Sequence, residues 1–466
     1  SLTTAPELPA MTLANYCYEA MFSACTSLIT APELPATTLA EGCYNAMFHG
    51  CTSLTTAPEL SATTLAYYCY SSMFAGCTSL TTAPELPTTT LQEGCYNAIF
   101  QGCTSLTTAP ELPATTLATY CYSQMFEGCT SLRTAPELPA TTLASHCYNA
   151  MFYGCTSLTT APDLPATTLA GSCYCGMFQN CTSLRTAPIL SATTLANECC
   201  QQMFFGCSSL TGSPLLRATR LTNSCYKEMF YGCTSLTNAR TLSAATVLEE
   251  SCFENMFGGC AALVTSPTIS SSPGMKKNCF KNMFNGCSNL TTMPYTGTSF
   301  PWQSHAYGCY EGMFANCTSL RTIPSTIFGY NAYDYCFRRM FAGCTRITTK
   351  IRLYANNLGS LSGVCESMFE GCTNLMSGLT ADSLIIGPDC YKNMFKNCGN
   401  LSCIEAKFTG TTSGNFTMQN ASGYTNNWVY GVSSAGVFYH KSATPEAPTG
   451  YSVHWIPNGW EVQLLA

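Results

Sequence analysis

Apolar residues recur along this chain with a long period. The segment CYEAMFSACTSL, Cys17 to Leu28, returns as CYNAMFHGCTSL from Cys43, CYSSMFAGCTSL from Cys69 and CYNAIFQGCTSL from Cys95, and fifteen copies follow one another down to Cys398. Eight intervals of 26 residues separate the first nine closing cysteines, and the later intervals are 27, 27, 30, 27, 28 and 26. The added residues always fall between one closing cysteine and the next block, so CYxxMFxxC is the rigid part. A unit this short cannot bury its own apolar face, so neighbouring units must stack.

Three stretches can be read within one unit, Leu28 to Thr52. SLITAPEL is Thr-rich and β-prone and is broken by Pro32, which predicts a short strand followed by a turn. PATTLA supplies Leu39 as an inward anchor. From Glu41 to His49, the i, i+4, i+5 spacing of Cys43, Met47 and Phe48 predicts one apolar stripe on a short helix, closed by Gly50 as its C-terminal cap. One strand and one short helix per unit make a leucine-rich-repeat coil.

The ending MFxGCTSL resembles the BspA-like leucine-rich repeats of bacterial surface proteins over about residues 1–404. This chain departs from that pattern in its 26-residue unit, in Met before Phe, and in a second cysteine at the start of the block. The resemblance implies a secreted or surface-anchored bacterial protein, often an adhesin. The expected fold is an α/β solenoid, a right-handed leucine-rich-repeat superhelix of about fifteen coils of 26–30 residues. Strands stack ~4.8 Å apart while packed helices need ~8–10 Å, so the parallel sheet is expected on a concave side and the helices on a convex one.

From 405 to 466 the pattern stops, and a small β-rich cap over the last coil is expected. Asn427 to Tyr430 and Gly436 to His440 alternate like strands, and Ile456 to Trp460 contains an Asn-Gly turn. Trp428, Trp455 and Trp460 belong to this tail, as part of the cap or as platforms for sugar rings. The tail also resembles, weakly, those of gut-bacterial surface and phage-encoded proteins.

Composition narrows the function. With 46% apolar and 9% charged residues the chain is not disordered, and pI 5.4 with 19 Lys plus Arg argues against nucleic acid. No apolar run approaches the ~20 residues of a membrane helix. The five histidines are scattered and no hydrolase, phosphate-loop or zinc motif occurs, so neither catalytic residues nor metal ligands are assigned.

Of the 33 cysteines, 29 fall two to a unit, one first position being held by Val364. Eight residues along a helix span ~12 Å, and equivalent side chains in adjacent coils point the same way with Cβ atoms nearer ~5 Å than the ~3.8 Å of a disulfide. They are therefore read as free buried thiols, acting as small hydrophobes beside Met and Phe. Val364 in a first-cysteine position agrees with that reading. Cys175, Cys200, Cys365 and Cys403 lie outside the ladders and are the candidates for bridges or exposed thiols.

Comparing the copies with one another separates architecture from surface. Tyr16, Tyr67, Tyr68 and Tyr120, just before the first cysteine, and Tyr153 and Tyr231, just after the Phe, sit where residue type varies. They are either a recognition face or the result of drift at solvent positions. Glu7, Glu33, Glu59, Glu85, Glu111, Glu137 and Asp163 share one slot, which Ile189 ends. That ladder is a row of solvated turn residues, or a site for Ca²⁺ or a cationic partner. Residues 1–226 sum to about -8 and 227–466 to about +2, an asymmetry favouring end-to-end contact at low salt. The expected function is non-enzymatic and needs no cofactor: a secreted or cell-surface, adhesin-like protein binding host or bacterial surface proteins or glycans through the repeat. The alternative is a structural fibre segment, of a phage tail or a surface filament.

Overall fold

The structure is a computed structural model and describes residues 2–240, 242, 246, 248–269, 274–294, 306–328, 332–354, 358–381, 385–407, 410–411, 414–415, 423–440 and 456–464. Two compact units divide the chain: the first holds 1–218 and 222–240, the second 219–221 and 241–466.

In both units the expected helix is absent from the described residues, and a ribbon of overlapping β-turns takes its place. From Cys43 to Cys51, the odd-numbered N–H groups each donate to the carbonyl three residues back, at 3.0–3.3 Å. The alternate N–H groups, of Gly42, Tyr44, Ala46, Phe48 and Gly50, leave the coil and donate to the carbonyls of Tyr67, Cys69, Ser71, Met73 and Ala75 at 2.7–3.0 Å. An α-helix keeps every such bond inside one segment; here half of them join one copy to the next. The splay expected from packed helices loses its basis, because successive blocks lie within backbone hydrogen-bond reach of each other.

The turn ribbon has its own backbone signature. Every second turn places its third residue in the left-handed region, as type II turns do, so positive φ recurs at every fourth residue. Gly42, Ala46 and Gly50 have φ of 56°, 53° and 71°, and Gly94, Ala98 and Gly102 repeat this at 59°, 52° and 70°. Residues 43, 44, 47, 48 and 51 are thereby turned inward, all at most 1% exposed. A helical stripe and a four-residue turn period select nearly the same residues, which is why the apolar spacing read as a helix.

On the other side of each coil the prolines decide how much strand survives. In the first unit the TAP segments leave only single parallel bridges, such as Thr30 to Thr56 and Thr134 to Thr160 to Thr186, with a second row at Thr38 to Thr64 and Thr168 to Thr194. Proline has no N–H to offer a ladder, and pairing stops there. The second unit forms true strands where the paired stretch itself holds no proline: β1 (Thr326–Phe328), which begins after Pro324, and β2 (Arg352–Tyr354), β3 (Ser377–Ala381) and β5 (Cys403–Ala406), whose copies have none in this segment. They pair in parallel, and β8 (Val437–His440) and β9 (Glu461–Leu464) extend the same sheet in the order β1-β2-β3-β5-β8-β9. A short sheet of β4 (Ile385–Ile386), β6 (Gly410–Thr411) and β7 (Gly414–Asn415) lies beside it in sequence.

The tail therefore carries the repeat onward. Asn427 to Tyr430, expected as a strand, is a turn ribbon: the carbonyls of Tyr424, Asn426, Trp428 and Tyr430 receive the N–H groups of Tyr391, Asn393, Phe395 and Asn397 at 2.7–3.0 Å. The strand at Val437–His440 and the turn at Asn458 and Gly459 are present where the pattern placed them.

Identical side chains stack between copies. In the first unit Phe22, Phe48, Phe74 and their successors to Phe230 run with ring centroids 5.5–5.9 Å apart and nearly parallel planes. A second row runs from Tyr18 through Tyr174. Offset stacking of this kind contributes ~0.5–1.5 kcal/mol per pair beyond area burial. Phe253, Phe280 and Phe337 replace tyrosine in that row of the second unit, and the hydroxyls of Tyr44 and Tyr174 are buried without a hydrogen-bond partner, so the ring is what this slot requires.

The two cysteine rows are not equivalent. In the second row thiols from Cys51 onward donate to the Phe carbonyl of the preceding copy: Cys51 to Phe22 and Cys77 to Phe48 at 3.1 Å, through to Cys398 to Phe369 at 3.0 Å. The same carbonyl already accepts the N–H of its own closing cysteine, as Phe22 does from Cys25 at 3.1 Å, so both its lone pairs are occupied. No carbonyl receives the first-row thiols of Cys69, Cys95 or Cys121. First-row thiols are unevenly bonded, Cys390 donating to the Leu361 carbonyl at 3.4 Å and Cys279 to the Met275 sulfur at 3.6 Å; the fully buried Val364 stands in one first-row position, whereas the closing cysteine is kept in all fifteen copies. Cys200 and Cys365, expected as bridge formers or exposed thiols, are instead buried in the tyrosine row, and Cys175 and Cys403 are half-buried. All 33 thiols are free.

This asymmetry predicts opposite responses. Cys95→Ser, which buries a hydroxyl with no acceptor, is expected to cost about 1–2 kcal/mol more than Cys103→Ser, while Cys103→Val should be the costlier of the valine pair, by chemical denaturation of the full chain.

Burial also pushes the thiols up, Cys95, Cys207 and Cys287 to about 12. Below the unfolded value of 9.0 both states keep the proton and the fold has its full stability; as pH rises further the unfolded chain releases protons that the folded chain retains. Unfolding followed by circular dichroism should therefore become steeply easier from about pH 9 upward. At pH 8 a thiol reagent should label only Cys17 and the half-buried Cys25, Cys175 and Cys403 in the native chain, and all 33 cysteines after unfolding.

Candidate interaction surface

The tyrosines before the first cysteine are built into the coil-to-coil contact. Tyr16, Tyr68 and Tyr120 occupy the first left-handed position of their blocks, with φ of 56°, 51° and 54°. The ring of Tyr16 lies over Gly42 and that of Tyr68 over Gly94, so closely that a β-carbon on either glycine would run into the ring. Their hydroxyls donate to Glu41 at 2.6 Å and Glu93 at 2.9 Å. The hydrogen bond to Glu41 raises the Tyr16 phenol above its ordinary value, while at Tyr68 desolvation leads and the Glu93 bond adds to it. Tyr120 stacks on His146 at 4.6 Å. The varied pair before each cysteine is thus partly a matched alternation: NYC faces EGC, YYC faces EGC, and TYC faces SHC.

The second unit uses the same device. Tyr335 covers Gly363, and Asn278, Asn282 and Asn316 reach over Gly308, Gly312 and Gly343. Spacing could have revealed it, since a large residue at one ladder position is answered by glycine in the next copy.

The other sequence-selected residues separate by environment. Tyr67 is 54% exposed and is the freest of the tyrosines. Tyr153 is half-buried, and the exposed Tyr231 stacks on Phe205 at 5.0 Å. Tyr16, Tyr68 and Tyr120 stand at one end of the block and Tyr153 and Tyr231 seven residues further on at its other end, so the six do not form one patch. Glu7, Glu33, Glu59, Glu85, Glu111, Glu137 and Asp163 are all exposed, and Asp163 accepts the N–H of Ile189 at 3.2 Å. Among the described residues no three or more His, Cys, Asp or Glu side chains gather where they could hold a metal ion.

Trp428 and Trp460, offered as sugar platforms, are core residues. Trp428 fills the Met slot, its carbonyl receiving the Phe395 N–H as that of Met73 receives Phe48, with its ring 6.1 Å from Phe395, and Trp460 is 2% exposed with its indole N–H donating to the Ser433 carbonyl at 2.8 Å. Trp455 lies outside the described residues. His440 is buried on β8, and that burial lowers its pKa.

A family model described as a BspA type leucine-rich repeat region (6 copies) matches residues 69–211, 152–291 and 221–340, more than half of the chain. The chain belongs to the BspA-type leucine-rich repeat family. No curated protein matches it. Among the described residues no helix is long and apolar enough to cross a membrane.

Charge is handled differently in the two units of this BspA-type chain. In the second unit the third block position reads Lys281, Glu311, Arg338, Glu366 and Lys392, alternating in sign from copy to copy. Lys281 to Glu311 is 3.1 Å, Arg338 to Glu366 3.2 Å and Lys392 to Glu366 3.7 Å. Lys277, Lys350 and Lys396 pair with Glu250, Glu405 and Glu370. Pairs of this exposure contribute ~0–1 kcal/mol each, and as a ladder they fix which copies face each other. Six of the fifteen bases of residues 227–466 are engaged in these pairs.

The tyrosine-on-glycine contact is expected to be strongly non-additive. Gly94→Ala should destabilise the chain by about 2–3 kcal/mol, through the ring clash together with the left-handed backbone. In a Tyr68→Gly background the same change should cost only the ~1–2 kcal/mol of the backbone, and a double-mutant cycle by denaturation reads the difference.

Proposed function

We propose that this chain is a non-enzymatic interaction protein displayed outside a bacterial cell, binding a host or bacterial surface protein or glycan through the exposed residues of its repeat. The supporting observation is the division of labour inside each copy. From the second block onward the slots held mostly by Cys, Tyr or Phe, Met, Phe, Cys and Leu are all buried, while positions such as Tyr67, Ile189 and Tyr231 are exposed and differ between copies. A core that repeats without change sets variable side chains at regular intervals, which is how repeat proteins build recognition surfaces. Membership of a family whose repeats are typical of surface proteins points the same way.

The test is a binding screen of the purified chain against extracellular-matrix proteins and glycans, with light scattering on the same sample. A saturable ligand weakened about tenfold or more by Tyr67→Ala or Tyr231→Ala is the expected outcome. No ligand, together with concentration-dependent polymers, would replace this reading with that of a structural fibre.

A further inference from the structure

The acid ladder of the first unit ends abruptly, and an open groove of about 690 Å³ begins there. Where earlier copies carry Glu or Asp, the next two carry Ile189 and Leu215. Arg185, Arg217 and Arg240 line the groove, each from a different copy, together with Thr211, Ser213 and Asn238. The first unit has only five basic residues against thirteen acidic ones, so three of the five gather at one place. All three arginines are exposed, and none makes an ion pair among the described residues, in contrast to the engaged bases of the second unit. Ile189 is 63% exposed beside them, an apolar surface with nothing packed over it.

We infer that this groove binds a short anionic saccharide, one or two sugar units bearing a carboxylate or sulfate. Guanidinium groups recognise planar or tetrahedral oxyanions by paired hydrogen bonds. Thr211 and Asn238 offer hydroxyl and amide partners for sugar hydroxyls, and Ile189 with Leu215 offers a face for the apolar side of a ring. The volume lies within the ~300–1,000 Å³ of small-ligand sites. The neighbouring acid ladder decides ligand length: a long polyanion laid along the coils would run from the arginines onto Asp163 and Glu137, where like charges repel. A single anionic group at the end of a glycan avoids that repulsion. The inference rests on the adhesin-like reading above and names the ligand class for one part of that surface.

Sialyllactose and sulfated lactose, with neutral lactose and inorganic sulfate as controls, would be titrated into the full chain by calorimetry and ligand-observed NMR. Both charged sugars are expected to bind about tenfold or more tightly than lactose or sulfate, and to weaken as salt is raised. R217Q and R240Q should each reduce affinity about tenfold, R217K less, and E33Q should leave it unchanged. Binding of lactose as tight as that of the charged sugars, binding of sulfate alone, or affinity indifferent to all three arginines would overturn the inference. Tighter capture of a polyglutamate peptide or a long sulfated polymer would overturn the choice of a short saccharide. Adherence of the chain to cells that persists in R217Q/R240Q would sink this site alone, while sugar binding through the arginines without any cell adherence would sink the wider reading alone.

Discussion

Half of the backbone N–H groups in each CYxxMFxxC block have no acceptor within their own coil. Gly42, Tyr44, Ala46, Phe48 and Gly50 find theirs in the next copy, and each such bond requires the following block to present a carbonyl at the same height. Buried donors left unmade cost about 1–3 kcal/mol apiece, so a block without its neighbour is heavily penalised. The invariance of block length follows, because one inserted residue would shift every later donor off its acceptor. Insertions collect in the outer segments, where only one or two bridges join the copies. The ring and thiol ladders are set by the same register: once the backbones are tied at hydrogen-bond distance, identical side chains must stack on themselves, and those that stack well are retained.

Much of this was legible in the sequence. The repeat, its rigid block, the buried rows and the parallel pairing of successive copies follow from period and composition alone. The helix did not, because apolar residues at 43, 44, 47, 48 and 51 suit a 3.6-residue stripe almost as well as a strict period of four. The distinguishing signal lay in the polar positions: Asn278, Asn282 and Gly286, or Gly308, Gly312 and Asn316, put Gly and Asn at four-residue intervals, the residues that enter the left-handed region most readily. Strand content failed for a similar reason, since proline in TAP both marks the segment and stops its ladder. Of the surface residues, exposure was read correctly for Tyr67 and the acid ladder. The role of Tyr16 and Tyr68 was hidden because their partners lie 25 and 26 residues away, visible only when adjacent copies are compared as pairs.

The thiols show how one residue type can do two jobs a few ångströms apart. In the first row cysteine is a compact hydrophobe that valine can replace. In the second it is a weak donor that fills the second lone pair of a carbonyl whose first is taken by a backbone N–H. Desolvation raises the pKa of the buried thiols such as Cys95 and Cys207, with Cys199, lowered by its hydrogen bond with Cys200, as an exception, and the thiolate is the species that reacts with oxidants and disulfides. A chain rich in cysteine can therefore stay free of bridges in surroundings that would oxidise exposed thiols, provided the coils do not open.

The alternation of tyrosine and glycine along the first unit places a parity rule on the gene as well as on the fold. Tyr16, Gly42, Tyr68, Gly94 and Tyr120 occupy one ladder, large and small in turn. Recombination that removed a single 26-residue copy would keep every hydrogen bond in register and yet bring a left-handed tyrosine onto another tyrosine. Loss or gain of two copies would leave the alternation whole. Tandem repeats of this kind should change length in steps of two where the alternation holds, and in steps of one where it does not, as beyond Tyr120, which stacks on the equally left-handed His146.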